Sequence, residues 1–527
     1  MRDVKGRGAR SAALLISTMV SGSFGLGASA YAQEAAAPAE LPPLEVTAQA
    51  KKKAAAAKKK AVTSPVPQAP PAVAETADTE PAGDADGGLS SNGGVDGYIA
   101  TRSSTATKTD TPILDIPQSI TVVTKEQAKD QGSRDMNKAL TYVPGIVMGQ
   151  GEGHRDAPTI RGVSTTADFF VDGVRDDVQY FRDLYNVDRV EVLKGPNAMI
   201  FGRGGGGGVI NRVTKKADGE RIYEATTTYG SFDTKRVEID AGQAVTNDFA
   251  VRINGMYEDS GSYRDFVDLE RYGINPKVTF RPSENTKVRL AYEYFSEDRT
   301  VDRGIPSNSL TGKPARTDES TFFGNPDESY MYFNGHTATA TIEHKFDNGI
   351  EIKNHTQYGN YEKFYQNIYA NSAWNGTPGG TIALGAYNQI TDRETIFNQT
   401  DVTTKIIMGP AVRHTLLAGV EVGYQETDNQ RDPNSGNYPI TAVPFSDPLS
   451  SQVPAWGTTP GPFNKSDLSL VPDGYRRKPH AALLGFTHLI VQPCRRGLVA
   501  ARGRGVQADR AAVVLCQLLE VVPAAVG

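Results

Sequence analysis

RVEVLKGPNAMIFGRGGGGGVINRVTKK, residues 189–216, places five consecutive glycines between two β-branched runs. By letter, Gly202-Arg203-Gly204-Gly205-Gly206-Gly207 fits G-x-G-x-x-G. A phosphate-cradling loop needs a helix after the glycines, so that amino-terminal N–H groups and the helix dipole meet the anion. The glycines here lead instead into VINRVTKK, which alternates like a strand. They are therefore read as structural, because residues without Cβ let a chain turn tightly and pass close to other backbone.

Outward from this stretch, the 527-residue chain carries a net charge of −5, which argues against a general nucleic-acid binder. No run reaches the roughly 18 apolar residues of a spanning helix, so membrane insertion would use a β-barrel or an anchor. Arg2, Lys5, Arg7 and Arg10 precede the apolar AALLISTMV, and Ala30-Tyr31-Ala32 is a small-x-small cleavage site. Residues 1–32 thus read as a cleaved secretory signal. Cys494 and Cys516 stand far from any ligand-spaced partner, and neither reads as a metal ligand.

Residues 33–97 are rich in Ala, Pro, Lys and acid and read as an extended periplasmic linker. The island LPPLEVTAQ, residues 41–49, interrupts it; Leu44, Glu45, Val46, Thr47 and Ala48 form either a short strand open to β-augmentation or an apolar patch in a linker. Residues 98–217 are compact and mixed. QSITVVT alternates, residues 125–143 read as one helix broken at Pro144-Gly145, and DFFVDGVRDD turns at Asp172-Gly173. From 218 to 475 there are about nine alternating strands, among them KVRLAYEY and HTATATIEHKF, with short turns at KFDNGIEI and MGPAVRHT and long polar loops between others. A transmembrane barrel has this pattern, although a soluble β-sandwich alternates too.

YNVDRVEVLKGPNAMIFGRGGGGGVINRVTKK resembles the plug signature of TonB-dependent outer-membrane receptors, and DIPQSITVVTKEQ, ALTYVPGIV, TIRGV and FFVDGVRDD match its other blocks in order. The blocks together are similar to those of the catecholate siderophore receptors in particular. The resemblance implies an α+β plug domain inside a transmembrane antiparallel β-barrel, 22-stranded in the family. It also implies that residues 41–49 are a TonB box held by TonB and its inner-membrane energising complex.

The implied function is TonB-dependent uptake of ferric siderophores, catecholates foremost, by a monomer in outer-membrane lipid. Iron would arrive only inside its chelator, with no resident cofactor, protein-bound metal or nucleic-acid partner. Haem, vitamin B12 or a saccharide is the alternative ligand class, and an exported β-rich binding or adhesion protein without transport is the alternative function. An anionic, aromatic chelate would be met by cationic and aromatic side chains on apical plug loops. His154 and Arg155 before the TIRGV strand fit this, as do Arg175, Gln179, Tyr180, Phe181 and Arg182 after the Asp172-Gly173 turn. Arg155 and Arg182 also fit as solvated charges or partners of barrel acids. Arg161 of the IRG block lies near the ligand in some relatives and is mainly structural in others. Lys194, with Gly195, Pro196 and Gly202, is expected to seat the plug, Lys194 by pairing with barrel carboxylates.

The seven His are scattered, and no nucleophile–base spacing suggests an enzyme. Residues 476–527 hold a single aromatic, Phe486, and no sustained alternation. The sequence reading expects a non-barrel tail there, of the kind a frameshift produces, and a transport-impaired chain.

Overall fold

The protein is described by a computed structural model over residues 94–201, 205–408, 412–431, 440–454, 464–465 and 483–491. The signal, the linker with Leu44 to Ala48, Gly202 and both cysteines lie outside the described residues.

Five strands make the plug sheet: β1 (Ser119–Thr124), β2 (Phe169–Val171), β3 (Val174–Arg175), β4 (Val187–Lys194) and β5 (Gly208–Thr214), in the order β3-β2-β5-β4-β1. Only the β5–β2 pair is parallel. Alternate residues of β4 and β5 enter two cores. Val190, Val192 and Ile210 pack with Phe169, Met136, Leu140 and Ile160, whereas Leu193 and Val209 pack with Phe170, Phe201 and Ile116. A sheet covered on both faces needs apolar side chains on both, which accounts for the density of the opening stretch.

The glycine run leads into a strand. A Cβ on Gly207 would lie 2.3 Å from the Ile160 carbonyl oxygen, and one on Gly208, at φ +151, 2.5 Å from that of Leu193. Asp168 already occupies the loop by accepting the Gly205 amide at 2.9 Å. Asp172 (φ 48) and Gly173 (φ 87) form the expected tight turn between β2 and β3.

The single helix expected over 125–143 is instead two short ones, α1 (Lys125–Asp130) and α2 (Met136–Ala139). Gly132 turns left-handed at φ 63 between them, and Thr124 and Asp135 each cap a new amino terminus.

Nine long strands come next, each antiparallel to its successor: β6 (Ile222–Gly230), β7 (Thr234–Thr246), β8 (Phe249–Gly261), β9 (Asp268–Ser283), β10 (Thr286–Thr300), β11 (Tyr330–Lys345), β12 (Glu351–Ala370), β13 (Thr381–Met408) and β14 (Val412–Arg431). They cover the nine segments read from the sequence, Phe346 of HTATATIEHKF excepted, and most run past them. Leu290, Tyr292 and Ile342 are exposed on the outer face, while Glu293, Phe295 and Glu297 face the plug. This alternation is that of a membrane barrel wall. Connections 247–248, 284–285 and 346–350 are short at one end; 301–329 and 371–380 lie at the other.

β15 (Ile440–Pro444) pairs with β13, and β16 (Asn464–Lys465) pairs with β14. A further strand, β17 (Leu483–Val491), pairs with β14 from Gly423↔Leu483 to Leu416↔Val491. It lies in the segment where the sequence reading places no barrel strand. Its β-branched and apolar residues suit a ladder even without strict alternation.

Candidate functional site

Among the contacts that join the plug to the wall, two groups of side chains stand out. The first is a latch of buried charges. Asp183 accepts from both terminal nitrogens of Arg236 on β7, each at 2.8 Å, and lies 3.1 Å from Arg271 on β9. Glu258 on β8 completes it, 2.6 Å from Arg236 and 2.7 Å from Arg271. Burial works to raise the Asp183 carboxyl, but Arg236 and Arg271 outweigh it and hold the group below the usual carboxylate range.

Lys194 does not share this role. Its ammonium donates to Thr121 Oγ1 at 2.9 Å and Pro144 O at 3.2 Å, both within the plug. The β4–β1 ladder sets Lys194 opposite Ser119, inside the plug sheet and away from the wall. Charges of both signs seat the plug instead: Asp183 on Arg236 and Arg271, and Lys215 on Asp240 at 3.1 Å. Gly195, at φ 110, and exposed Pro196 shape the turn after β4.

The second group lies at the end of the wall that carries connections 301–329 and 371–380. There plug residues 151–156 meet the ends of β12 and β13. Glu152 accepts from Arg155 Nη1 and from Tyr387 Oη, each at 2.7 Å; its backbone oxygen accepts from Tyr365 Oη at 3.1 Å. His154 lies against the Tyr365 ring, centroids 4.0 Å apart, with Lys363 Nζ 2.5 Å from its Nδ1. Arg303 covers Tyr369 at 3.8 Å and Arg431 covers Tyr387 at 4.0 Å. Cationic heads over phenol rings are what an anionic, aromatic ligand would meet. Among the described residues Arg155 Nε has no hydrogen-bond partner.

Burial, reinforced by Lys363 and Arg155, pushes His154 down to about 3 and keeps the ring neutral. Hydrogen bonding from His154, then Tyr387 and Arg155, holds Glu152 well below the usual range despite partial burial. Beside them, burial pushes Asp156 up to about 7 against the pull of Arg182, and among the described residues its Oδ1 has no hydrogen-bond partner.

The residues proposed from sequence separate into three kinds. His154 and Arg155 lie in the cluster, and Gln179 reaches it through its carbonyl, which accepts from Lys363. Arg182 is fully buried: it binds Asp176 at 2.8 Å, the carbonyls of Asp176 and Val178, and the face of Phe169 at 3.9 Å. Tyr180 and Phe181 are buried beside it, Tyr180 stacked on Phe333 at 4.3 Å and Phe181 under Arg299 at 4.0 Å. These three hold the loop, so in this conformation they present no free face to a ligand. Arg175 packs over Phe170 at 5.5 Å, and Arg161 is exposed at φ 48. Neither joins the cluster.

The wall half, Arg303, Lys363, Tyr365, Tyr369, Tyr387 and Arg431, went unread in the sequence. Inward parity along YEKFYQNIY was the available signal, since Tyr361, Lys363, Tyr365, Asn367 and Tyr369 share one face. Among the described residues no group of three or more His, Cys, Asp or Glu could hold a metal.

A plug sheet latched to a long antiparallel wall is the architecture of TonB-dependent receptors, and residues 112–209 match the family model described as TonB-dependent Receptor Plug Domain. Within that class the chain is similar to siderophore receptors. It is 30% identical over 327 residues to the probable TonB-dependent siderophore receptor PiuA of Acinetobacter baumannii, covering 60% of this chain and 44% of the relative. It is 30% identical over 379 residues to the catecholate siderophore receptor Fiu of Escherichia coli K12, covering 66% and 49%. The open-form crystal structure of Fiu superposes with a TM-score of 0.58 at 27% identity, over 67% of this chain and 55% of that one. The chain thus spans about half the length of the curated relatives it matches.

Proposed function

We propose that this chain is an outer-membrane receptor for ferric siderophores, with catecholates the preferred class, and that uptake is driven by TonB. The observation that carries the reading is the cluster of Arg155, Arg303 and Arg431 among Tyr365, Tyr369 and Tyr387, at the junction of plug and wall. A ferric tris-catecholate is anionic and aromatic, so cations draw it in and phenol faces pack against its rings. The iron stays inside its chelator, and no protein ligand to the metal is required. The similarity to PiuA and Fiu supports the same ligand class.

Transport needs the plug to be moved, and the handle is the TonB box at Leu44 to Ala48, which would add a strand to TonB. The latch of Asp183 on Arg236 and Arg271 is the plug–wall contact that such a pull must work against. The signal peptide delivers the chain to the outer membrane, where it acts as a monomer in lipid. The test pairs two readouts on the full chain: binding of a purified TonB carboxy-terminal domain, and iron accumulation from a ferric catecholate in cells lacking other receptors. Both are expected to fall in Val46→Pro, which cannot donate to a β-ladder. Unchanged TonB binding in that variant contradicts the assignment of the box, and TonB binding without accumulation contradicts transport.

A further inference from the structure

Glu152 occupies the very groups that an anionic ligand would use. Its carboxylate accepts from Arg155 and Tyr387 at 2.7 Å, with His154 Nε2 at 3.4 Å and Arg303 Nη2 at 3.8 Å. The backbone is bent to put it there. Glu152 is left-handed, at φ 52 and ψ 22, a strained conformation for a residue other than glycine.

Its neighbours show how tightly the loop is set. A Cβ on Gly153 (φ 77) would lie 2.2 Å from the Asp302 carbonyl oxygen, and one on Gly151 would lie 2.7 Å from Arg155 Nε. The loop is thus pressed against connection 301–329 while Arg155 folds back across Gly151. The Glu152 side chain remains 32% exposed, so the carboxylate can swing out to solvent without crossing the plug.

We infer that Glu152 is a resident anion: it fills the anionic subsite of the empty receptor, and the negatively charged oxygens of an arriving ligand displace it from Arg155, Tyr387 and Arg303. This rests on the reading of the site as one for an anionic ferric chelate. Net affinity is then the difference between two anions competing for one set of donors, which disfavours weakly charged chelates. Displacement also has a route inward. Asp156, four residues on, accepts the Arg182 amide at 3.0 Å, and the next residue is Asp183 of the latch. Release of residues 151–155 is therefore felt beside the plug–wall contact.

The experiment compares the full chain and Glu152→Gln in detergent, titrated with a synthetic three-armed ferric tris-catecholate, alongside amide exchange of residues 151–155 without the chelate. In the resting chain the Gly151, Gly153 and His154 amides are bonded within the loop. E152Q is expected to bind the chelate on the order of tenfold tighter, and without chelate its loop is expected to exchange faster than the wild-type loop. Equal or weaker binding by E152Q, with wild type binding normally, overturns the inference alone. So does unchanged exchange in the empty variant, which needs no ligand. Failure of both chains to bind sinks the anionic-chelate reading itself.

Discussion

Asp183 of the plug and Arg236 of the wall meet as a fork on a fork, two parallel hydrogen bonds of 2.8 Å with both side chains almost fully buried. Paired in this way, each ion offsets the desolvation of the other. Removing one leaves a buried, uncompensated charge, which is more damaging than never having had the pair. Asp183→Asn is therefore expected to destabilise the plug–wall contact by about 3–5 kcal/mol. Limited proteolysis of the plug and the urea midpoint should both register this. A midpoint within error of wild type would show that the latch does not hold the plug.

Arg182 is predicted to be a staple of the apical loop. Arg182→Lys keeps the charge but not the planar fork that reaches Asp176 and two carbonyls at once. It should lower stability by roughly 1–3 kcal/mol through the unmet carbonyls, while leaving chelate affinity within a few-fold of wild type. An R182K chain that folds normally and loses chelate binding outright would restore Arg182 as a ligand contact.

His154 and Asp156 predict opposite pH signatures. The neutral His154 contributes stability above the ordinary imidazole value of 6.5, and the contribution is lost as pH falls below it. The protonated Asp156 contributes fully below the ordinary carboxylate value of 3.8, and loses that contribution as pH rises through about 7. Wild type should thus lose stability relative to Asp156→Asn on going from about pH 5 to 8, read from paired denaturation midpoints. A midpoint difference that does not vary with pH contradicts a protonated carboxyl at this position.

Gly208 tests the structural reading of the glycine run. With its Cβ site 2.5 Å from the Leu193 oxygen and φ at +151, Gly208→Ala should cost about 1–3 kcal/mol. Nucleotide should have no effect on the melting of either chain. Stabilisation of wild type alone by a nucleotide would revive the phosphate-loop reading.

How much of this was legible in the sequence depends on whether the cause was local. The nine wall segments and the Asp172-Gly173 turn arise from alternation and turn chemistry within a few residues, and they were read. Strand length was not, because wall residues facing the plug are polar. β12 continues to Ala370 through Lys363, Gln366 and Asn367, polar residues that look like loop until a plug lies behind them. The break at Gly132 was hidden by good helix formers on either side.

Long-range pairing explains the errors in the site. Arg182 stands in a run of charged loop residues and reads as a ligand contact, a solvated charge or a partner of barrel acids. Its burial depends on Asp156, 26 residues away, and on Phe169. Likewise the seating charge was sought on Lys194, because nothing near Asp183 announces two arginines on β7 and β9. The plug blocks pointed to the loops around residues 154–155 and 175–182, but the wall decides which of their side chains remain available.

The central claim is that the junction of the 151–155 loop with β12 and β13 receives an anionic ferric chelate. It is tested most directly by titrating the full chain in detergent with the same ferric tris-catecholate, following quenching of tryptophan fluorescence, for wild type and Arg303→Gln. Saturable binding is expected, weakened on the order of tenfold in R303Q and by added salt. Equal affinity in the two chains, or no saturable binding by wild type, would contradict it.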